Sequence, residues 1–127
     1  MPKVAVFFAP GFEEIEAVTV VDYLRRANVE VITVSVPSEG TENFSESVTG
    51  SHKIAVNCDL NLKQFIETMN GAEPDAIYFP GGMPGATNLA ANQYLFQLAT
   101  KMDRKGKIIS AICAAPAVVL AKTGILA

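Results

Sequence analysis

The sequence predicts an α/β fold in which a mostly parallel sheet is covered by helices. Three observations carry that expectation. Short apolar, β-branched runs alternate with segments of helical periodicity, most of these runs stop where glycine or proline follows, and the first strand, turn and helix fit within residues 3 to 27.

Taken in order, Lys3 to Phe8 (KVAVFF) reads as a buried strand, and Ala9-Pro10-Gly11 as the turn that ends it. Glu13 to Ala27 carries Ala17, Val20, Val21 and Leu24 at the spacing of an amphipathic helix. Val29 to Val36 is a second strand, closed by Pro37. The Ser/Glu/Gly/Asn-rich stretch Ser38 to Ser51 is expected to be an exposed loop anchored by Phe44 and Val48. Lys53 to Val56 suits a short strand or hairpin arm, and Leu60 to Met69 a helix capped by Asp59 or Asn61. Ala76 to Phe79 is a strand that runs into PGGMPG, and helix resumes from Ala86, breaks near Asn92 and continues to about Met102. After a basic turn at Arg104 to Gly106, Lys107 to Ile112 is expected as a last buried strand and Ala114 to Thr123 as a last helix.

Half of the 127 residues are hydrophobic, so residues 1–127 suffice for one domain with a core that needs no cross-links. Charges are interspersed and sum to -3, which offers no footprint for nucleic acid or an anionic membrane. Two cysteines, Cys58 and Cys113, form no disulfide framework and no metal-binding spacing, so a reducing cytoplasm is expected and no metal is implied. Neither a secretory leader nor an apolar run of membrane-spanning length is seen. The apolar ending Gly124-Ile125-Leu126-Ala127 reads as that of an N-terminal fragment, which would leave a sheet edge or helix face exposed.

Ligands of such sheets bind beyond the carboxyl ends of the strands, and three loops there carry chemistry. In PGFEEIE, Glu13 and Glu14 suit a helix N-terminus, and the single histidine, His52, falls in a polar stretch that reads as surface. Glu16 borders the apolar stripe, where a half-buried carboxyl can donate a hydrogen bond when protonated. In PGGMPGATN, the amides of Gly81 and Gly82 can turn toward an anion, although an ordinary strand-to-helix turn accounts for the same residues. In SAICAAPAVVLA, Cys113 stands between a strand and a proline-started helix, the place of a nucleophile whose thiolate a helix N-terminus favours. A small apolar core residue is the other reading of that cysteine. Together the loops would assemble a thiol, a carboxylic acid and backbone donors from Gly81, Gly82 and Ala114.

The segments KVAVFFAPGFEEIEAVTVVDYLRRANVEV, DAIYFPGGMPGATNL and AICAAPAVVLAKTGIL, in this order, closely resemble the ThiJ/PfpI family, in its branch of protein deglycases, glyoxalases and oxidative-stress proteins. The resemblance covers the whole chain and implies a flavodoxin-like three-layer α/β/α sandwich, a homodimer and no cofactor. It assigns Cys113 as the oxidation-prone cysteine, Glu16 as the acid that hydrogen-bonds its sulfur, and Gly81, Gly82 and Ala114 as the anion pocket. The implied activity is glyoxalase or deglycase chemistry on methylglyoxal or early glycation adducts, with redox sensing at the same cysteine. A redox-responsive chaperone without turnover is the alternative. A cysteine peptidase or amidotransferase would need a histidine beside the thiol. Cys58 lies one place from an interface cysteine of some relatives and reads as a structural thiol.

Overall fold

The structure is a computed structural model and describes residues 2–41 and 44–125. Strand β1 (Lys3–Phe8) is central, with Val4 to Phe8 buried. On one side β2 (Glu30–Ser35) pairs with it, Lys3 opposite Glu30 and Phe8 opposite Ser35, and β5 (Leu60–Asn61) follows β2. On the other side lie β6 (Ala76–Phe79) and then β7 (Ile108–Ala111). Every pairing is parallel, in the order β5-β2-β1-β6-β7.

Because side chains alternate along a strand, β1 and β6 send residues to two separate cores. Ala5, Phe7, Ile77 and Phe79 meet α2 (Leu62–Met69), α3 (Gly85–Ala90) and α4 (Gln93–Arg104), with Phe7 stacked on Phe79 at 5.7 Å and edge-on to Phe65 at 5.6 Å. Val4, Val6, Phe8 and Tyr78 meet α1 (Glu14–Arg26), which buries Ala17 and Val21. These are the three layers expected. The architecture is the flavodoxin-like sandwich that the resemblance implied.

Several details depart from the sequence reading. The tail of the supposed loop is a strand, β3 (Ser47–Thr49), paired antiparallel with β4 (Ala55–Asn57) so that Val48 faces Val56. A Ser/Thr-rich run holds as a strand because Val48, buried, anchors it to the α1 core. Asn61 alone caps α2, in a capping box with Gln64, whereas Asp59 accepts from Thr33 N–H at 2.9 Å and from Arg25 at 2.8 Å, tying β2 to α1. The break at Asn92 is a fresh start, since its side chain accepts from Leu95 N–H and caps α4. Lysines 101, 105 and 107 gather on the Glu73 carboxylate, joining the end of α4 and the start of β7 to the turn before β6.

Two corrections concern the end of the chain. β7 is not a buried strand, because it lies at the sheet edge with Ser110 exposed and Ile108 66% exposed. Nor is the last helix uniform. Pro116–Leu120 wind as a π-helix, Ala121 N–H reaching Pro116 O five residues back, before α5 (Ala121–Thr123). Apolar spacing over so short a segment does not separate the two windings.

Candidate active site at the carboxyl ends of β1, β6 and β7

The chain runs from β1 outward through β2 to β5, then returns to the other side of β1 for β6 and β7. Such a reversal opens a crevice between the two central strands, and the three expected loops meet there. Their meeting point is the backbone of Gly81. Its carbonyl accepts from Glu13 N–H at 2.9 Å, and its N–H donates to Glu16 Oε1 at 3.0 Å. A methyl group at Gly81 would stand 2.6 Å from Glu16 Oε1 and 2.8 Å from Cys113 Cβ, closer than such atoms approach, so glycine is what lets the acid and the cysteine share one spot. Gly82, at φ +93°, packs just as tightly against the backbone of Gly11 to Glu13.

Cys113 is exposed and follows Ile112, whose N–H still pairs with Phe79 O at 3.3 Å beside the end of β6. Its φ is +60°, in the left-handed region that side chains other than glycine adopt at a cost, and Ala115 N–H closes the turn on Ile112 O at 3.1 Å. The cysteine therefore sits on a sharp strand-to-helix turn. Strain of this kind at an exposed thiol next to a half-buried carboxyl is the pattern of a nucleophile elbow.

The five residues singled out in the sequence come together unequally. Glu16, Gly81 and Cys113 form the cluster, but the Gly81 amide is committed to Glu16 and so acts as the holder of the acid. Among the described residues, the Gly82 and Ala114 amides donate to no protein acceptor.

Sequence reasoning missed the neighbouring anchor. Glu14, read as a helix-dipole residue, is buried, and its carboxylate accepts from His52 N–H at 2.8 Å and Ile54 N–H at 3.3 Å and pairs with His52 Nδ1 at 3.0 Å. Burial by itself would raise this carboxyl, yet its own amide, the His52 ring and the amides of His52 and Ile54 outweigh it and bring it to about 2. The hydrogen bond to Glu14 and the charges of Glu13 and Glu14 raise His52 above its ordinary value. The imidazole is exposed, as expected of a surface residue, but it fastens the β3–β4 hairpin to the start of α1. Donor atoms of Glu13, Glu14 and His52 lie within 4.8 Å of one another, the one grouping among the described residues with the makings of a cation site. Gly50, which leaves room for the Glu14 carboxyl, was the available signal. Cys58 is buried, and burial first, then Asp59, pushes its thiol up to about 12, the state of an inert structural cysteine.

A parallel α/β sandwich with a cysteine elbow and a carboxyl partner at its switch point defines a class of cysteine-centred proteins built on the flavodoxin-like layout. Within it, residues 2–127 match the DJ-1/PfpI family, and the chain belongs to that family. It is similar to oxidised DJ-1 of Toxoplasma gondii (40% identity, TM-score 0.86), covering 99% of this chain and 63% of that one. Similarity extends to protein dj-1beta of Drosophila melanogaster, 32% identical over 94% of this chain and 58% of the relative. A protein named as a deglycase from Pyrococcus abyssi is 30% identical, over 93% of this chain and 64% of the relative. The chain thus spans under two thirds of these relatives. No helix among the described residues is long and apolar enough to cross a membrane.

Proposed function

We propose that Cys113 is the nucleophile of a glyoxalase or protein deglycase acting on methylglyoxal or on the early adducts it forms with amines. The carrying observation is that Gly81 holds the Glu16 carboxyl through its N–H and has Cys113 Cβ close by on the same side, which brings an acid-base group into the neighbourhood of an exposed thiol. In this reading the thiolate forms a C–S bond to the aldehyde carbon, and the carbonyl oxygen takes up a proton beside the Gly82 and Ala114 amides. Glu16 then carries the proton of that carbon to the neighbouring ketone carbon, which is reduced as the first becomes a thioester. Water hydrolyses the thioester to lactate and returns the thiol. The relative from P. abyssi supports the reading by its name, and the T. gondii structure, of an oxidised form, supports a second role in which two equivalents of peroxide convert Cys113 to a sulfinate and are reduced to water. That second role is the sensor or chaperone reading, and it uses the same pair without turnover. Within residues 1–127 the histidine, His52, pairs with Glu13 and Glu14, so these residues supply no support for the peptidase alternative.

A homodimer through the outer face of α1 fits Ile15 and Val18, which are 72% and 44% exposed. We place the protein in the cytoplasm, where both cysteines stay thiols. D-lactate formation from methylglyoxal tests the enzyme reading. Cys113→Ser is expected to abolish it and Glu16→Gln to slow it about a hundredfold. No lactate from the unmodified chain, with Cys113 still oxidised to a stable sulfinate, would leave the sensor in its place.

A further inference from the structure

We propose that Tyr78 is a positioning residue for this site: β6 and the loop that follows it grip Glu16 at two points, by the Tyr78 hydroxyl on its backbone and by the amide of Gly81 on its side chain. The Tyr78 hydroxyl donates to Glu16 O at 3.0 Å, and Gly81 N–H donates to Glu16 Oε1 at 3.0 Å. Tyr78 is 6% exposed and points to the α1 side of the sheet, where Val4, Val6 and Ala76 line the same core. Burial there asks only for an apolar side chain, so packing does not call for the hydroxyl. The Glu16 carbonyl lies in the first turn of α1, where its helix partner is the amide four residues on, so the Tyr78 bond is an addition to the helix ladder. Burial first, and then the nearby Glu16 charge, push the Tyr78 hydroxyl up to about 12, so it is a donor across the whole neutral and mildly alkaline range. Two grips from one short segment, Tyr78 to Gly81, mean that sliding of α1 against β6 would carry Glu16 off Gly81 and away from Cys113.

The inference rests on the reading that Glu16 and Cys113 work as a pair, and it is tested by a readout that needs no turnover. The rate of Cys113 alkylation by iodoacetamide is measured against pH for the unmodified protein, Tyr78→Phe, Glu16→Gln and the double variant, with Cys58 silent because it is buried. Tyr78→Phe is expected to change the neutral-pH rate about fivefold and to displace the profile. In the Glu16→Gln background the same substitution should change the rate by less than about twofold, because its effect passes through Glu16. An unmoved profile in Tyr78→Phe, or an equal effect in both backgrounds, overturns the role of Tyr78. If Glu16→Gln itself leaves the profile of the unmodified protein, the pairing falls and the positioning role with it. Should Tyr78→Phe not fold at the assay temperature, 3-fluorotyrosine at this position keeps the ring and strengthens the donor. It should then displace the profile in the sense opposite to loss of Glu16, and an unchanged profile counts against the proposal.

Discussion

Gly81 has Glu16 Oε1 and Cys113 Cβ within reach of the one methyl group it lacks. Gly81→Ala must therefore displace the cysteine turn and turn the Glu16 carboxyl off the Gly81 amide. The expected loss is about 1–3 kcal/mol in urea denaturation, the range for overpacking, together with loss of lactate formation. A midpoint equal to that of the unmodified chain would show that a methyl group at Gly81 meets neither neighbour. Cys113 offers a second measurement at this scale. At φ +60° any side chain bears a backbone cost that glycine does not, so Cys113→Gly should be more stable than Cys113→Ala by about 1 kcal/mol. Equal thermal midpoints would contradict the strained turn.

Among the elements, the β3–β4 hairpin is attached to α1 by the burial of Val48 and by one ionisable pair, Glu14 with His52. The pH dependence follows from the two shifts. Glu14, lowered from 4.5 to about 2, contributes stability above pH 4.5, and that contribution is lost as the pH falls toward 2. His52, raised above 6.5, contributes fully below pH 6.5 and loses its contribution as the pH rises through its folded value. The pair is strongest between these limits. The denaturation midpoint of the unmodified chain should therefore exceed that of His52→Ala most between pH 4.5 and 6.5, with the gap narrowing on both sides. A gap that is constant with pH would show that His52 acts by packing alone.

For the molecule as a whole, the unequal cover of the sheet matters most. Helices α2, α3 and α4 bury one face, while on the other, among the described residues, α1 is the one helix and an apolar trough of about 340 Å³ lies beside β7, lined by Val20, Leu24, Tyr78 and Ile108. An apolar edge strand of this kind binds other apolar surfaces. Ile108→Lys is expected to lower light scattering and binding of an apolar dye without changing the circular dichroism, because Ile108 is 66% exposed. Unaltered scattering would show that β7 plays no part in self-association.

Strand and helix alternation, the two glycines after β6 and the cysteine before a proline were legible because each is a local pattern: periodicity decides which face a residue takes, and Gly and Pro mark where a strand must stop. The hairpin strand β3 and the exposure of β7 were not, since a Ser/Thr-rich run and an apolar one change character with what packs on them. Family membership was likewise legible, because its motifs are contiguous runs of residues. Only the tertiary structure decided that the Gly81 amide goes to Glu16, that Glu14 is buried on His52, and that Tyr78 reaches the carbonyl of Glu16. The reason is physical: these bonds join residues 38 to 65 positions apart, and which donor meets which acceptor depends on how whole elements dock.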